Sequence, residues 1–172
     1  MLNFRTRWPH PISASVSLCG VLAASSVPGV AYAAVSSSAT LSVSASVQAS
    51  CDFSVGSLDF GLYTGSQKDA TTTISVVCTN TTPFSVGLYA GSTAGATIAN
   101  RMMTGAGDTT YKYALYMDSE HIQPWGTTVG TDTYGGTGSG NSQTLTVYGR
   151  LPAAQFVRPG AYYDSITATI TY

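Results

Sequence analysis

The chain is short of charge. Its 172 residues hold 7 basic and 8 acidic side chains, 9% of the total, with a net charge of −1. No basic patch is available for nucleic acid or an anionic membrane surface, which removes both as partners. Histidine is nearly absent too. Of 2 in the chain, only His121 lies beyond the leader segment discussed below, and one imidazole does not build a zinc site. No window sustains a 3.6-residue apolar period, so long amphipathic helices are not expected. No Gly-x-Ser-x-Gly elbow marks a nucleophile. Spacing alone says nothing about whether two of the 8 carboxylates converge, as glycoside hydrolysis requires. Asp118-Ser-Glu-His121 reads as a solvated turn after a strand. The chain is read as a non-enzyme, with no cofactor and no metal.

The first 33 residues have the make-up of an export signal. Arg5 and Arg7 give a positive start, a small and apolar run extends from about Ile12 to Val30, and Ala31-Tyr32-Ala33 is a small-x-small cleavage pattern. The run is interrupted by Ser13, Ser15, Ser17, Ser25, Ser26, Pro28 and Gly29. It makes a poor membrane anchor, and no membrane insertion is expected after cleavage. Leu18 precedes Cys19 where a lipoprotein signal wants a small residue. The expected organisation is a cleaved signal over 1–33, an N-terminal segment over 34–50 and a body over 51–172. The mature chain keeps Lys68, Arg101, Lys112, Arg150 and Arg158 against 8 acids. With Cys19 removed, only Cys51 and Cys78 remain. Two cysteines in an oxidising compartment are expected to pair, and two free thiols or half a metal site would lack further ligands.

What the chain does have is β-pattern. Ile74, Val76 and Cys78 alternate with polar or small neighbours, as do Phe84, Val86 and Leu88, and Tyr113, Leu115 and Met117. Leu145, Val147 and Leu151 follow around Gly149, and Ile166, Ala168, Ile170 and Tyr172 alternate with threonines to the last residue. Such runs, bounded by Gly, Asn, Asp, Ser or Pro, predict strands. About seven of them predict an antiparallel two-sheet sandwich. Residues 126–143 hold six glycines and read as a long flexible hairpin loop, since no helix or lysine follows to make a phosphate cradle. Ahead of everything lies SSSATLSVSASVQASC, residues 36–51. It places Ala39, Leu41, Val43, Ala45 and Val47 on one face and polar residues on the other, the period of a half-buried strand.

Five motifs, in order, carry a resemblance. They are Cys51-Asp52-Phe53, Val76-Val77-Cys78-Thr79-Asn80, Tyr113-x-Leu115-Tyr116 leading to Trp125-Gly126, Val147-Tyr148-Gly149-Arg150-Leu151-Pro152-Ala153, and Pro159-Gly160-x-Tyr162-x-Asp164 running to Tyr172. From about residue 39 onward, the chain resembles the spore coat protein U domain family. That family includes the pilins of archaic, Csu-type chaperone–usher pili.

The resemblance implies an all-β, immunoglobulin-like antiparallel sandwich that lacks its last strand, with an N-terminal donor strand. It implies a secreted structural subunit that a periplasmic chaperone holds, an outer-membrane usher assembles, and neighbouring pilin subunits complete as a homo-polymer for adhesion and biofilm formation. Ala39, Leu41, Val43, Ala45 and Val47 would enter a neighbour by strand addition, a mode for which donor-strand complementation in pilins is a standing example. Ile166, Ala168, Ile170 and Tyr172 would face the chaperone before assembly and line the acceptor groove afterwards. Other readings stay open. One is a coat component of spores or resting cells, in which the N-terminal strand completes its own sandwich or serves a coat lattice. Another is a secreted single-domain adhesin or carbohydrate-binding module, using the Tyr-rich surface and the 126–143 loop.

Overall fold

A computed structural model describes residues 33–172. The expected signal over 1–33 lies almost wholly outside the described residues. Residues 33–50 carry no strand, and every one of them is exposed. Leu41, Val43 and Val47 are 85%, 84% and 88% exposed, so the alternating face read from the sequence is uncovered within this single chain.

The body is built from nine strands. They are β1 (Cys51–Val55), β2 (Lys68–Cys78), β3 (Pro83–Leu88), β4 (Arg101–Gly105), β5 (Thr110–Tyr116), β6 (Tyr134–Thr137), β7 (Ser142–Leu151), β8 (Tyr162–Tyr163) and β9 (Ala168–Thr171). A single 3-10 turn, Ala106–Asp108, joins β4 to β5. One sheet has the order β1-β2-β7-β5-β4-β8 and the other β6-β3-β9. All pairs are antiparallel. The two sheets share one core, which makes the body an immunoglobulin-like sandwich.

Alternation decides which residues enter that core. Ile74, Val76 and Cys78 of β2, Leu145, Val147 and Leu151 of β7, and Tyr111, Tyr113 and Leu115 of β5 are buried. They meet Phe84, Val86 and Leu88 of β3 and the fully buried Trp125. Each such strand turns Thr, Ser or charged residues to its other face, as a sheet with one wet side requires. Trp125 sits beside the edge of β5. Its main-chain N–H donates to the Leu115 carbonyl at 2.9 Å and its indole N–H to the Val86 carbonyl at 2.8 Å. A buried indole needs such a partner. Cys51 and Cys78 are direct register partners of β1 and β2 and form a disulfide, as their pairing after export predicted. Closing a loop of this size is worth roughly 3–4 kcal/mol in the chain-entropy account.

Four strands of the body, β1, β4, β6 and β8, have no strand reading in the sequence, and two of them show why. Residues 126–143, expected as a flexible hairpin loop, contain β6, which pairs with β3 from Phe84↔Gly136 to Val86↔Tyr134. Gly136 is there because the Phe84 ring lies over it, and a Cβ would meet that ring at 2.6 Å. The glycines therefore serve close approach of the strands as well as turning.

β4 was missed because its one fully buried side chain is Arg101, the opposite of an apolar signal. The Arg101 guanidinium donates to main-chain carbonyls: Nε to Tyr89 at 3.0 Å, Nη1 to Ile98 at 3.3 Å, and Nη2 to Leu88 at 2.8 Å and Trp125 at 2.6 Å. Burial pushes its pKa below the ordinary arginine value. The five N–H donors of the planar fork nevertheless keep it charged. It ties β4 to the ends of β3 and of the β5–Trp125 connection. Arg101→Met leaves the Leu88 and Trp125 carbonyls buried without donors, at about 1–3 kcal/mol each. The expected result is a urea unfolding midpoint well below wild type with an unchanged slope. A midpoint equal to wild type would contradict this account of β4.

Candidate strand-accepting groove

The two sheets do not close on each other along one side. β1 pairs only with β2, and β9 pairs only with β3, so each presents one edge without a strand. These edges face each other across the core. Cys51 is the partner of Cys78, the chain then turns through Thr79–Thr82 into β3, and Ser85 of β3 is the partner of Thr171. The start of β1 and the end of β9 therefore share one end of the sandwich, and the two edges run in opposite directions.

At the Val55 end of β1, beside the segment that leads into β9, lies a cavity of about 290 Å³ whose lining includes Val55, Leu58, Phe60, Leu88, Leu115 and Ile166. Leu88 and Leu115 are core residues, 2% and 4% exposed, and form its floor. Phe53, Leu58, Phe60, Ile166, Ala168 and Ile170 pack on that core but stay only partly buried. Leu58 and Phe60 reach inward because position 149 of β7 is glycine, where a Cβ would meet Leu58 at 2.6 Å and the Phe60 ring at 2.9 Å. That is the physical reason for the Tyr-Gly-Arg-Leu motif. A free edge beside uncovered apolar side chains is the arrangement to which another strand adds.

The Pro-Gly-x-Tyr-x-Asp motif sets the β9 wall. Asp164 Oδ1 accepts from the Ser92 N–H, the Ser92 hydroxyl and the Ser165 N–H, each at 2.8 Å. Its Oδ2 accepts from the buried Tyr113 hydroxyl at 2.6 Å. Burial, then that carboxylate, pushes the Tyr113 phenol far above its ordinary pKa, so it stays a donor. The Tyr162 hydroxyl donates to the Arg158 carbonyl at 2.7 Å. Asp164 and Ser165 are thus pinned by side-chain bonds, the Thr167 carbonyl accepts from the Tyr89 N–H at 2.9 Å, and strand pairing begins at Ala168. This makes β9 shorter than the alternation from Ile166 to Tyr172 predicted.

Of the residues expected to form the wall, Ile166 lines the cavity. Ile166, Ala168 and Ile170 are half-buried against the core, whereas Tyr172 is 57% exposed. Ala39, Leu41, Val43, Ala45 and Val47 are exposed, and no strand pair includes any of them.

His121 differs from its expectation. It closes the expected turn, its main-chain N–H donating to the Asp118 carbonyl at 3.2 Å, but its side chain is only 7% exposed. Its backbone takes the left-handed conformation at φ 59°. The ring stands edge-on to Tyr116 and near Tyr148, at centroid distances of 5.2 and 6.1 Å. Nδ1 lies 2.9 Å from Arg150 Nη2. Arginine only donates, so Nδ1 accepts and the neutral ring carries its proton on Nε2. Arg150 also makes a two-pronged pair with Asp69, with both contacts at 2.8 Å. The cluster fastens the 117–124 loop to the outer face of the larger sheet. Sequence could not show it, because Asp69 and Arg150 meet only through the β2–β7 register. Among the described residues, no group of three or more His, Cys, Asp or Glu side chains is placed to hold a metal.

The Arg150 contact holds the Asp69 pKa below the ordinary carboxylate value. A depressed native pKa stabilises the fold above the unfolded value, and that contribution disappears as pH falls through the native one. Asp69→Asn should therefore be less stable than wild type at pH 7 by a fraction of a kcal/mol, as a half-exposed pair allows. The gap should narrow below about pH 4. Urea midpoints at both pH values check this. A gap that widens in acid would contradict it.

Comparison with known proteins places this architecture. The family model for the spore coat protein U domain matches residues 37–169, and the chain belongs to that family. Protein U of Myxococcus xanthus is 33% identical over 174 aligned positions, covering 91% of this chain and 97% of that protein. Among solved structures, the chain shares its fold with a chain of the chaperone–tip adhesion subunit pre-assembly complex CsuC–CsuE, from the archaic chaperone–usher Csu pili of Acinetobacter baumannii. The TM-score is 0.55 at 19% identity, over 73% of this chain and 40% of that one.

Proposed function

We propose that this member of the spore coat protein U domain family is a structural subunit of a secreted chaperone–usher pilus. Its body, residues 51–172, is one strand short, and the segment 34–50 of a neighbouring copy completes it. The observation that carries this reading is the pair of free edges, β1 and β9, with Phe53, Leu58, Phe60, Ile166, Ala168 and Ile170 left only partly buried beside them. The chain supplies a matching uncovered strand pattern of its own. Ala39–Val47 would extend about 30 Å at roughly 3.3 Å per residue, comparable with the stretch from Tyr162 to Tyr172 that borders the groove.

The chemistry of the exchange follows. Leu41, Val43 and Val47 are each more than 80% exposed in the single chain. Burying each is worth about 1.5–3 kcal/mol, with Ala39 and Ala45 fitting the narrower places. The main chain would pair with the free edge of β9. Before assembly the same edge and the same Ile166, Ala168 and Ile170 face would expose an aggregation-prone surface, so a periplasmic chaperone is the expected first occupant and an outer-membrane usher the site of exchange. The chaperone-bound complex whose fold this chain shares supports that order. A head-to-tail contact of this kind does not close on itself and builds a fibre for attachment or biofilm formation. The spore coat in the family's description favours a second reading, in which the same insertion builds a coat lattice. Electron microscopy separates thin fibres from sheets.

Val43→Asp tests the assignment. It removes a buried valine and forces a carboxylate into an apolar groove, a loss of several kcal/mol per contact. The expected outcome is no ladder on an unboiled denaturing gel, with the body still folded and disulfide-bonded in the chaperone complex. A normal ladder from Val43→Asp would refute the donor assignment.

A further inference from the structure

Beyond the groove, toward the Phe60 and Tyr162 end, the surface opens into a second and larger cleft of about 870 Å³. Phe60, Tyr63, Tyr111, Tyr162 and Arg158 line it. The two cavities share Leu58, Phe60, Met103, Tyr162 and Tyr163, so the cleft continues the groove. Its rim is apolar and uncovered, with Leu62, Phe156 and Tyr163 at 80%, 93% and 75% exposed. Inside it, Tyr111 is 4% exposed, and its hydroxyl has no hydrogen-bond partner. Burial pushes that phenol's pKa up, which keeps it a donor. An exposed apolar rim that continues the groove is what a surface missing its partner looks like.

We propose that the body of the copy that donates its strand covers this cleft, making a second contact between neighbours. The inference rests on the strand-exchange reading, and two features of the chain fix its geometry. Every strand pair among the described residues is antiparallel, and β9 is the edge with which the donor main chain pairs. A donor added antiparallel to β9 starts beside Thr171 and ends, at Val47, beside Ile166 and Tyr162. Only Gln48, Ala49 and Ser50 then separate Val47 from Cys51 of the donor body. Val47 and Cys51 are four Cα-to-Cα steps apart, at most about 14 Å, so the donor body must sit near the mouth of the cleft.

The first elements it brings there are its β1 and the end of its β2. Val77 of that strand is 41% exposed and stands opposite Asp52 in the register. Val77 suits the apolar rim, and the donor's Asp52 is complementary to the acceptor's exposed Arg158. Inserted strand and docked body together would limit the swing of one subunit on the next, which a three-residue link alone would leave free.

The experiment uses full-length protein assembled with its chaperone and usher. A photo-activated cross-linker, p-benzoyl-phenylalanine, replaces the exposed Phe156. Hydroxyl-radical oxidation of Phe156 and Tyr163 in the unsubstituted protein provides an independent readout. In fibres that give a ladder, the cross-link should map to residues 51–79 of a neighbouring copy. Oxidation of both rings should be several-fold slower than in the chaperone-bound subunit. Laddered fibres whose rings oxidise at the subunit's rate, or whose cross-link is lacking, would overturn the second contact while leaving strand exchange standing. A cross-link to residues 34–39 would mean a donor parallel to β9 and would overturn it equally. No ladder from unsubstituted protein would refute strand exchange, and this inference with it.

Discussion

Two sheet edges, β1 and β9, are left without a strand between them, and the apolar side chains beside them stay only partly buried. Most of the local chemistry follows from keeping that gap shaped. A sandwich with a missing strand loses main-chain partners and core coverage on the same side, and both losses are repaired by one extended segment of alternating sequence. An ordinary surface pocket needs a ligand of particular shape. A strand-accepting groove calls for a period of two, small to medium apolar side chains and a free main chain, and residues 39–47 have that pattern.

The walls of an open groove cannot rely on mutual packing, and here they are held by buried polar anchors. Arg101 gathers carbonyls from the end of β3 and from Trp125. Asp164 fixes the approach to β9 through Ser92 and the hydroxyl of Tyr113. Both sit at the end of the sandwich where the groove widens, and both bind main chain or hydroxyl groups that would otherwise be orphaned in the core. Such groups cost a great deal when unpaired and stiffen their surroundings when satisfied. The disulfide holds the opposite end, where β1 begins beside β9's last residue. The groove is thus fastened at both ends by interactions that do not depend on what fills its middle.

Alternation made β2, β3, β5 and β7 legible, because each buries one apolar face. The cysteine pair was legible from its number and compartment. β6 was hidden because Phe84 covers its Gly136, so the strand shows glycine where a sequence reader expects a side chain. β4 was hidden because its inward residue is Arg101. His121 read as a solvated turn because its partners, Tyr116, Tyr148 and Arg150, converge on it only once the register of β5 and β7 is set. The groove wall was legible as a strand, yet its shortened ladder was not, since Asp164 acts through side-chain bonds that leave no periodicity. The aromatic cleft had no signal at all. Most of its residues come from 58–65 and 155–163, stretches with little strand pattern, and Met103, Tyr111 and Leu151 join them only through the fold.

The most direct measurement of the central claim is amide hydrogen exchange on the body with residues 34–50 removed, before and after adding a synthetic peptide of residues 36–50. The account predicts one peptide per body and markedly slower exchange at Cys51–Val55 and Ala168–Thr171, the two edges flanking the vacant position. Unchanged exchange at both edges with saturating peptide, in a body that is folded and stable alone, would contradict it.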